Sequence, residues 1–220
     1  MRVKICGITR PEDAELAESA GADAIGLVFA PNSKRLITLE RAAAIAERVG
    51  PLITRVGVFV DAPLEQVLAA VHHLRLGAVQ LHGSEDSVYA AAVRKETRVI
   101  RAVSFRPGLP LEGLAHFPAD ALLVDGLRPG SGETFDWSQA SSLTGGAPHL
   151  ILAGGLAPEN VAAGIRALRP YAVDVASGVE ASPGIKDPEK VAAFVRNARA
   201  ALDSEASSRP RPFLRARTDV

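Results

Sequence analysis

The chain has 220 residues, 47% of them hydrophobic and 23% charged, with 25 lysines and arginines against 25 aspartates and glutamates. That length can bury a large core, the balance of residue types excludes disorder overall, and zero net charge removes the electrostatic case for nucleic acid as a partner. No segment approaches the length of a membrane span and no secretory leader is evident, so a cytoplasmic, reducing setting is expected.

Apolar, β-rich runs recur from the start of the chain, at residues 3–5, 24–29, 55–60 and 78–81, then at 99–103, 121–124, 150–153 and 171–175. Helix-start signals stand between them: Pro11-Glu12-Asp13, Thr38-Leu39-Glu40, Asp61-Ala62-Pro63, Ser84-Glu85-Asp86, Pro158-Glu159-Asn160 and Asp187-Pro188-Glu189. The fifth and sixth helices are the weak ones. Segment 108–117 is entered past Pro107 and Pro110, and 137–143 is short, so single turns are expected there. After Asp203 the chain loses its periodic apolar face, and residues 204–220 read as a flexible tail.

Strands alternating with helices imply a parallel sheet covered on both faces, and eight such units close into a barrel. The α/β expectation is therefore a single-domain (β/α)8 TIM barrel over residues 1–203. An open doubly wound sheet is the rival, but it calls for a Gly-x-Gly-x-x-Gly loop after its first strand. Here that turn reads Cys6-Gly7-Ile8-Thr9-Arg10.

In a barrel, the residues at the carboxyl ends of the strands converge on one mouth. They are Cys6, Asn32 to Arg35, Asp61, Gln80 and His82, Ser104 and Arg106, Asp125, Gly154-Gly155, Asp174 and Ser177-Gly178. Cys6 is the only cysteine, so neither an internal disulfide nor a cysteine-based zinc site can form. It is either a small buried hydrophobe or a reactive group, and alternation along the first strand sets it on the same face as Lys4. Asp125 ends a run of four apolar residues, either as a turn former or as a carboxyl whose pKa burial raises into the range of a general acid. Asp136, ahead of Trp137, reads as a helix cap. The glycine turns after strands seven and eight suit an anion, since their backbone N–H groups can approach it closely. Arg35 carries a planar fork suited to a carboxylate, Gln80 and His82 share a face, and His72-His73 read as exposed helix surface.

Ordered blocks of the chain resemble phosphoribosylanthranilate isomerases: Lys4-Ile5-Cys6-Gly7-Ile8-Thr9, Ser33-Lys34-Arg35, Arg55-Val56-Gly57-Val58-Phe59-Val60 and Val79-Gln80-Leu81-His82-Gly83. The likeness continues through Gly130-Ser131-Gly132-Glu133-Thr134-Phe135-Asp136-Trp137, Leu152-Ala153-Gly154-Gly155-Leu156 and Val173-Asp174-Val175-Ala176-Ser177-Gly178-Val179-Glu180. The resemblance implies an Amadori rearrangement with Cys6 as general base and Asp125 as general acid, and no metal or organic cofactor. It also implies Arg35 on an anthranilate carboxylate and the two glycine turns on a phosphate. The expected partner is a small phosphosugar, bound by a monomer or a homodimer. Ala176 stands where many relatives carry serine, which removes one phosphate contact. Lys4 is a candidate for lowering the Cys6 pKa, and equally for pairing with a carboxylate. Two rivals stay open: a related phosphosugar barrel such as an aldolase or indole-glycerol-phosphate synthase, and a binding protein without turnover. A Schiff-base lysine at a strand end would favour the first, and strands four to eight offer none. The second has no use for an acid and base pair.

Overall fold

In a computed structural model, residues 1–105, 116–126, 137 and 149–206 are described, with side chains as far as Ala201 in the last helix. The expectations for Arg106, 108–115, Asp136, 138–143 and 207–220 lie outside the described residues.

Eight parallel strands close into a barrel in chain order. They are β1 (Arg2–Cys6), β2 (Ala24–Val28), β3 (Thr54–Phe59), β4 (Ala78–Leu81), β5 (Arg98–Ser104), β6 (Ala121–Asp125), β7 (Leu150–Leu152) and β8 (Ala172–Val175). The helices between are α1 (Pro11–Ser19), α2 (Leu39–Ala46), α3 (Leu64–Leu74), α4 (Ser87–Arg94), α5 (Val161–Leu168) and α6 (Pro188–Ala206). β1 pairs on one side with β2, where Cys6 faces Gly26, and on the other with β8, where Lys4 faces Asp174. α6 runs to Ala206, past the point where the sequence loses its apolar period.

Each strand sorts its side chains between two cores. Val3, Ile5, Ile25, Leu27, Val79, Leu81, Leu122 and Val124 point outward beneath the helices, and each such buried aliphatic contributes about 1.5–3 kcal/mol. Val56, Ala78, Ile100, Ala102, Leu123, Ile151 and Ala172 fill the barrel interior. Two helices, α2 and α4, begin at side-chain caps: Thr38 accepts from the Arg41 N–H at 3.2 Å, and Asp86 from the Tyr89 N–H at 2.8 Å. Each cap is worth about 1 kcal/mol.

Asp61, with a left-handed φ of 49°, is not part of the mouth's chemistry. Its carboxylate takes the Ser84 N–H and hydroxyl, and the buried Glu85 takes the N–H groups of Asp61 and Gly83 and the Arg101 guanidinium at 3.0 Å. This cluster ties the turns after β3 and β4 to β5. His72 and His73 are exposed on α3.

One element is absent from the sequence reading. After β8 the chain makes a 3-10 turn, Ser177–Val179, and then a two-stranded antiparallel hairpin, β9 (Glu180–Ser182) and β10 (Ile185–Lys186). Pro183-Gly184 forms its tip, with Gly184 at φ 83°.

Candidate active site

The C-terminal ends of the strands open on a cavity of about 670 Å³. Cys6, Arg35, Gln80, His82, Asp125, Asp174, Ser177 and Glu180 all contribute to its wall. The thiol from β1 and the carboxyl from β6 therefore face one compartment. Gly154, Gly155 and Gly178 are not among the residues that line it.

Cys6 reaches the cavity because β2 opposes it with Gly26. A Cβ at Gly26 would lie 2.5 Å from Cys6 Sγ and 3.0 Å from its Cα, well inside ordinary contact. Burial pushes the thiol's pKa up, against the Lys4 charge that pulls it down. The sequence reading had Lys4 as a candidate for lowering that pKa, and here the correction is one of magnitude: burial outweighs the lysine. Lys4 is itself only 4% exposed and spends its ammonium on Asp174 Oδ1 at 2.9 Å and Gln80 Oε1 at 3.0 Å. Burial draws the ammonium's pKa down, but Asp174 more than restores it, so Lys4 stays charged. Gln80 and Asp174 thus line the cavity while holding a lysine across the barrel floor.

Asp125 accepts the Gly126 N–H on Oδ1 at 2.7 Å. Burial nevertheless pushes its pKa up to about 6. Exclusion of water thus moves the carboxyl toward neutrality, where a protonated fraction is available to act as an acid. His82 moves the other way: burial lowers its pKa, the Lys4 charge adds to that, and its Nε2 is buried with no hydrogen-bond partner among the described residues.

The turns after β7 and β8 lie directly against each other. Gly178 packs on the Leu156 carbonyl with no room for a side chain, and Gly154 sits 2.9 Å, measured from where its Cβ would be, from Asp125 Oδ1. Gly154 and Gly155 have successive φ values of 81° and 63°, a backbone only glycine adopts freely. Asn160 holds this turn, accepting the Ala157 N–H at 2.8 Å and donating to the Gly155 carbonyl at 2.9 Å.

Against this geometry, a sequence model of N-(5'-phosphoribosyl)anthranilate (PRA) isomerase matches residues 3–197. The chain belongs to the PRA isomerase family. It is 45% identical over 206 residues to N-(5'-phosphoribosyl)anthranilate isomerase of Trichlorobacter lovleyi, covering 92% of this chain and 100% of that one. Among solved structures, phosphoribosyl anthranilate isomerase from Thermus thermophilus superposes with a TM-score of 0.85 at 49% identity, covering 95% of this chain and 100% of that one. The isomerase from Thermotoga maritima gives 0.86 at 42% identity, over 91% and 99%.

Two residues of this family member carry more of the site than its sequence reveals. Arg35 lies across Gly7, where a side chain would collide with it, and its Nε and Nη2 each donate to Glu180 at 2.7 Å. Glu180 is 8% exposed and also accepts from Lys186 Nζ at 3.0 Å. Lys186, 2% exposed, donates further to the backbone carbonyls of Cys6 at 2.7 Å and Ala176 at 3.1 Å. The Pro183-Gly184 pair marks a turn in the sequence, but nothing local to it marks Lys186 as buried. Among the described residues, no cluster of three or more histidines, cysteines, aspartates or glutamates could hold a metal ion, and no helix is long and apolar enough to cross a membrane.

Proposed function

We propose that the cavity carries out the Amadori rearrangement of N-(5'-phosphoribosyl)anthranilate to 1-(2-carboxyphenylamino)-1-deoxyribulose 5-phosphate, a step of tryptophan biosynthesis. One observation carries the reading: Asp125, with its pKa pushed to about 6, and Cys6 line the same compartment from β6 and β1.

The substrate is a closed furanose, so the first task is to break the C1′–O4′ bond. Asp125 gives its proton to O4′ while the anilino nitrogen's lone pair forms the C1′=N bond, leaving a cationic imine. That imine acidifies the C2′ proton. The Cys6 thiolate removes it, the C2′–H electrons become a C1′=C2′ bond, and the imine electrons return to nitrogen as an enolamine. The enolamine gains a proton at C1′ and loses one from the C2′ hydroxyl, giving the ketone, so no atom is gained or lost. Neither step calls for a metal or an organic cofactor.

Arg35 would hold the anthranilate carboxylate, since it contributes to the cavity wall and Glu180 takes only one hydrogen each from Nε and Nη2. The N–H groups of Gly154, Gly155, Ser177 and Gly178 would hold the phosphate, with the tight packing of the two turns fixing them in advance. A neighbour of 41% identity and TM-score 0.83 was solved with reduced 1-(o-carboxyphenylamino)-1-deoxyribulose 5-phosphate, a ligand that carries both the carboxylate and the phosphate. We place the enzyme in the cytoplasm, as a monomer or a homodimer; a 40% identical relative from Thermotoga maritima is described as dimeric.

The test is loss of substrate fluorescence with wild type, Cys6→Ser and Asp125→Asn. Both variants should fold and bind the reduced product while losing at least about 10²–10³ in kcat, the usual range for a removed general acid or base. Wild-type turnover in either removes that residue from the mechanism.

A further inference from the structure

Lys186 is buried in the wall of the site, yet no step of the rearrangement uses it. Its ammonium meets two backbone carbonyls and one carboxylate, and the carboxylate is the one that grips Arg35. The order of these contacts matters. Arg35 alone would present a full positive charge to a ligand, but its bidentate partner Glu180 cancels it. An Arg–Glu pair is neutral, and a neutral pair has little to offer an incoming carboxylate.

We propose that Lys186 is a positioning residue that restores one net positive charge to the Arg35–Glu180 pair, so that the site prefers a substrate bearing a carboxylate on its aromatic ring. The inference rests on the reading of Arg35 as the carboxylate anchor.

Three features of the structure support it. First, the triad is in direct contact throughout, at 2.7 Å from Arg35 to Glu180 and 3.0 Å from Glu180 to Lys186, and all three side chains are largely shielded from water. At that separation and burial, charge acts far more strongly than on an exposed surface. Second, Lys186 is anchored by carbonyls of β1 and of the residue after β8, so its charge is fixed in place and cannot reach the ligand itself. Third, the other buried lysine of the mouth, Lys4, is matched by Asp174 and adds no net charge. Glu180 remains ionised, because hydrogen bonds from Arg35 and Lys186 overcome the burial that opposes its charge. The arrangement separates two tasks that one arginine would otherwise share: Glu180 holds the fork in plane, and Lys186 compensates for the charge that holding costs.

The experiment measures dissociation constants for two probes: the reduced product analogue, 1-(o-carboxyphenylamino)-1-deoxyribulose 5-phosphate, and its phenylamino counterpart without the carboxylate. The ratio of the two isolates the carboxylate's share. Wild type should prefer the carboxylated probe by about 10- to 100-fold, as expected for one charge-assisted bidentate contact. Lys186→Met should cut that preference at least about fivefold, with little change in affinity for the phenylamino probe. Glu180→Gln/Lys186→Met, which removes one charge of each sign, should return it to within about threefold of wild type. A purely structural role for Lys186 gives the opposite pattern: the double variant would be as poor as the single, and both probes would weaken together. Either of those results overturns the proposal. If Lys186→Met does not fold, the comparison of Glu180→Gln with the double variant decides, and a lost preference in the double variant refutes it. Arg35→Met is the control for the underlying reading. If Arg35→Met leaves the wild-type preference intact, the anchor is misassigned; if Arg35→Met abolishes it and Lys186→Met does not, only the charge-balancing role falls.

Discussion

The pH dependence of catalysis should show a low plateau, with the same two limbs as a correctly protonated acid–base pair but a much smaller height. Asp125, the proposed general acid, has its pKa pushed to about 6, whereas burial drives Cys6, the proposed general base, above the ordinary thiol range. Chemistry needs the aspartic acid protonated and the thiol ionised, so the working pair is the minority arrangement of one shared proton. Between the two pKa values that minority is a constant fraction, because moving the proton from sulfur to carboxyl does not change the total bound. The further burial lifts the thiol above the carboxyl, the smaller that fraction becomes. Below pH 6 both groups are protonated and the rate falls tenfold per unit; above the thiol's pKa both are ionised and it falls again. The assay is kcat/KM from pH 5 to 10, which reports the free enzyme, with the two values belonging to the pair as a whole. The substrate phosphate also titrates near 6, and Asp125→Asn separates the two sources. In that variant the plateau should vanish and the residual rate should climb with pH until the thiol is ionised. A wild-type rate that rises steadily from pH 6 to 8.5, or an unchanged limb near 6 in Asp125→Asn, would refute the assignment.

Gly26→Ala should leave a folded protein with kcat reduced about 100-fold, because the new methyl would sit 2.5 Å from Cys6 Sγ and must displace it by about 1 Å. Steady-state kinetics alongside a melting curve checks this, and wild-type kcat would show that the sulfur's position is not critical. Gly178→Ala should instead act on stability, since its Cβ would overlap the Leu156 backbone carbonyl, which has no rotamer to escape into. Overpacking of this kind costs about 1–3 kcal/mol, or roughly 2–12 °C in Tm for a chain of this size, and an unchanged Tm would mean that the turns after β7 and β8 are not in fixed contact.

The barrel was legible because every strand is buried on both faces, which writes it as a short apolar run between turn residues. Cys6 and Asp125 were legible for a related reason: each ends such a run with a group that has no place in a core. Lys186 was not. In sequence it is one lysine after a Pro-Gly turn, with the look of a solvated loop residue. Its burial comes from acceptors on Cys6, Ala176 and Glu180, two of them on other elements of the barrel, and no local pattern records those contacts. Gly26 was hidden likewise, since a glycine within a strand acquires meaning only when the register sets Cys6 opposite it. The strength of the Lys4 effect on Cys6 depended on a competition between burial and charge that the sequence names but does not weigh.

The placement of ionic groups within the barrel argues that they serve the site and not the fold. Toward the amino ends of the strands the interior is filled by Val56, Ala78, Ile100, Ala121 and Ala172, which pack without any polar atom to satisfy. Toward the carboxyl ends the same alternating positions carry Lys4, Gln80, Asp125 and Asp174. Buried ion pairs are often no more stabilising than apolar residues of the same volume, so a barrel selected for stability alone would continue the apolar filling to its rim. Here the floor pair, Lys4 and Asp174, sums to zero charge, and the two act on Asp125 in opposite directions, leaving burial as the main influence on its pKa. The triad of Arg35, Glu180 and Lys186 concentrates its surplus charge at the opposite rim, beside Cys6 and away from the acid. An anion drawn to that rim would bring its sugar between thiol and carboxyl, so the distribution of charge orients the substrate as well as binding it.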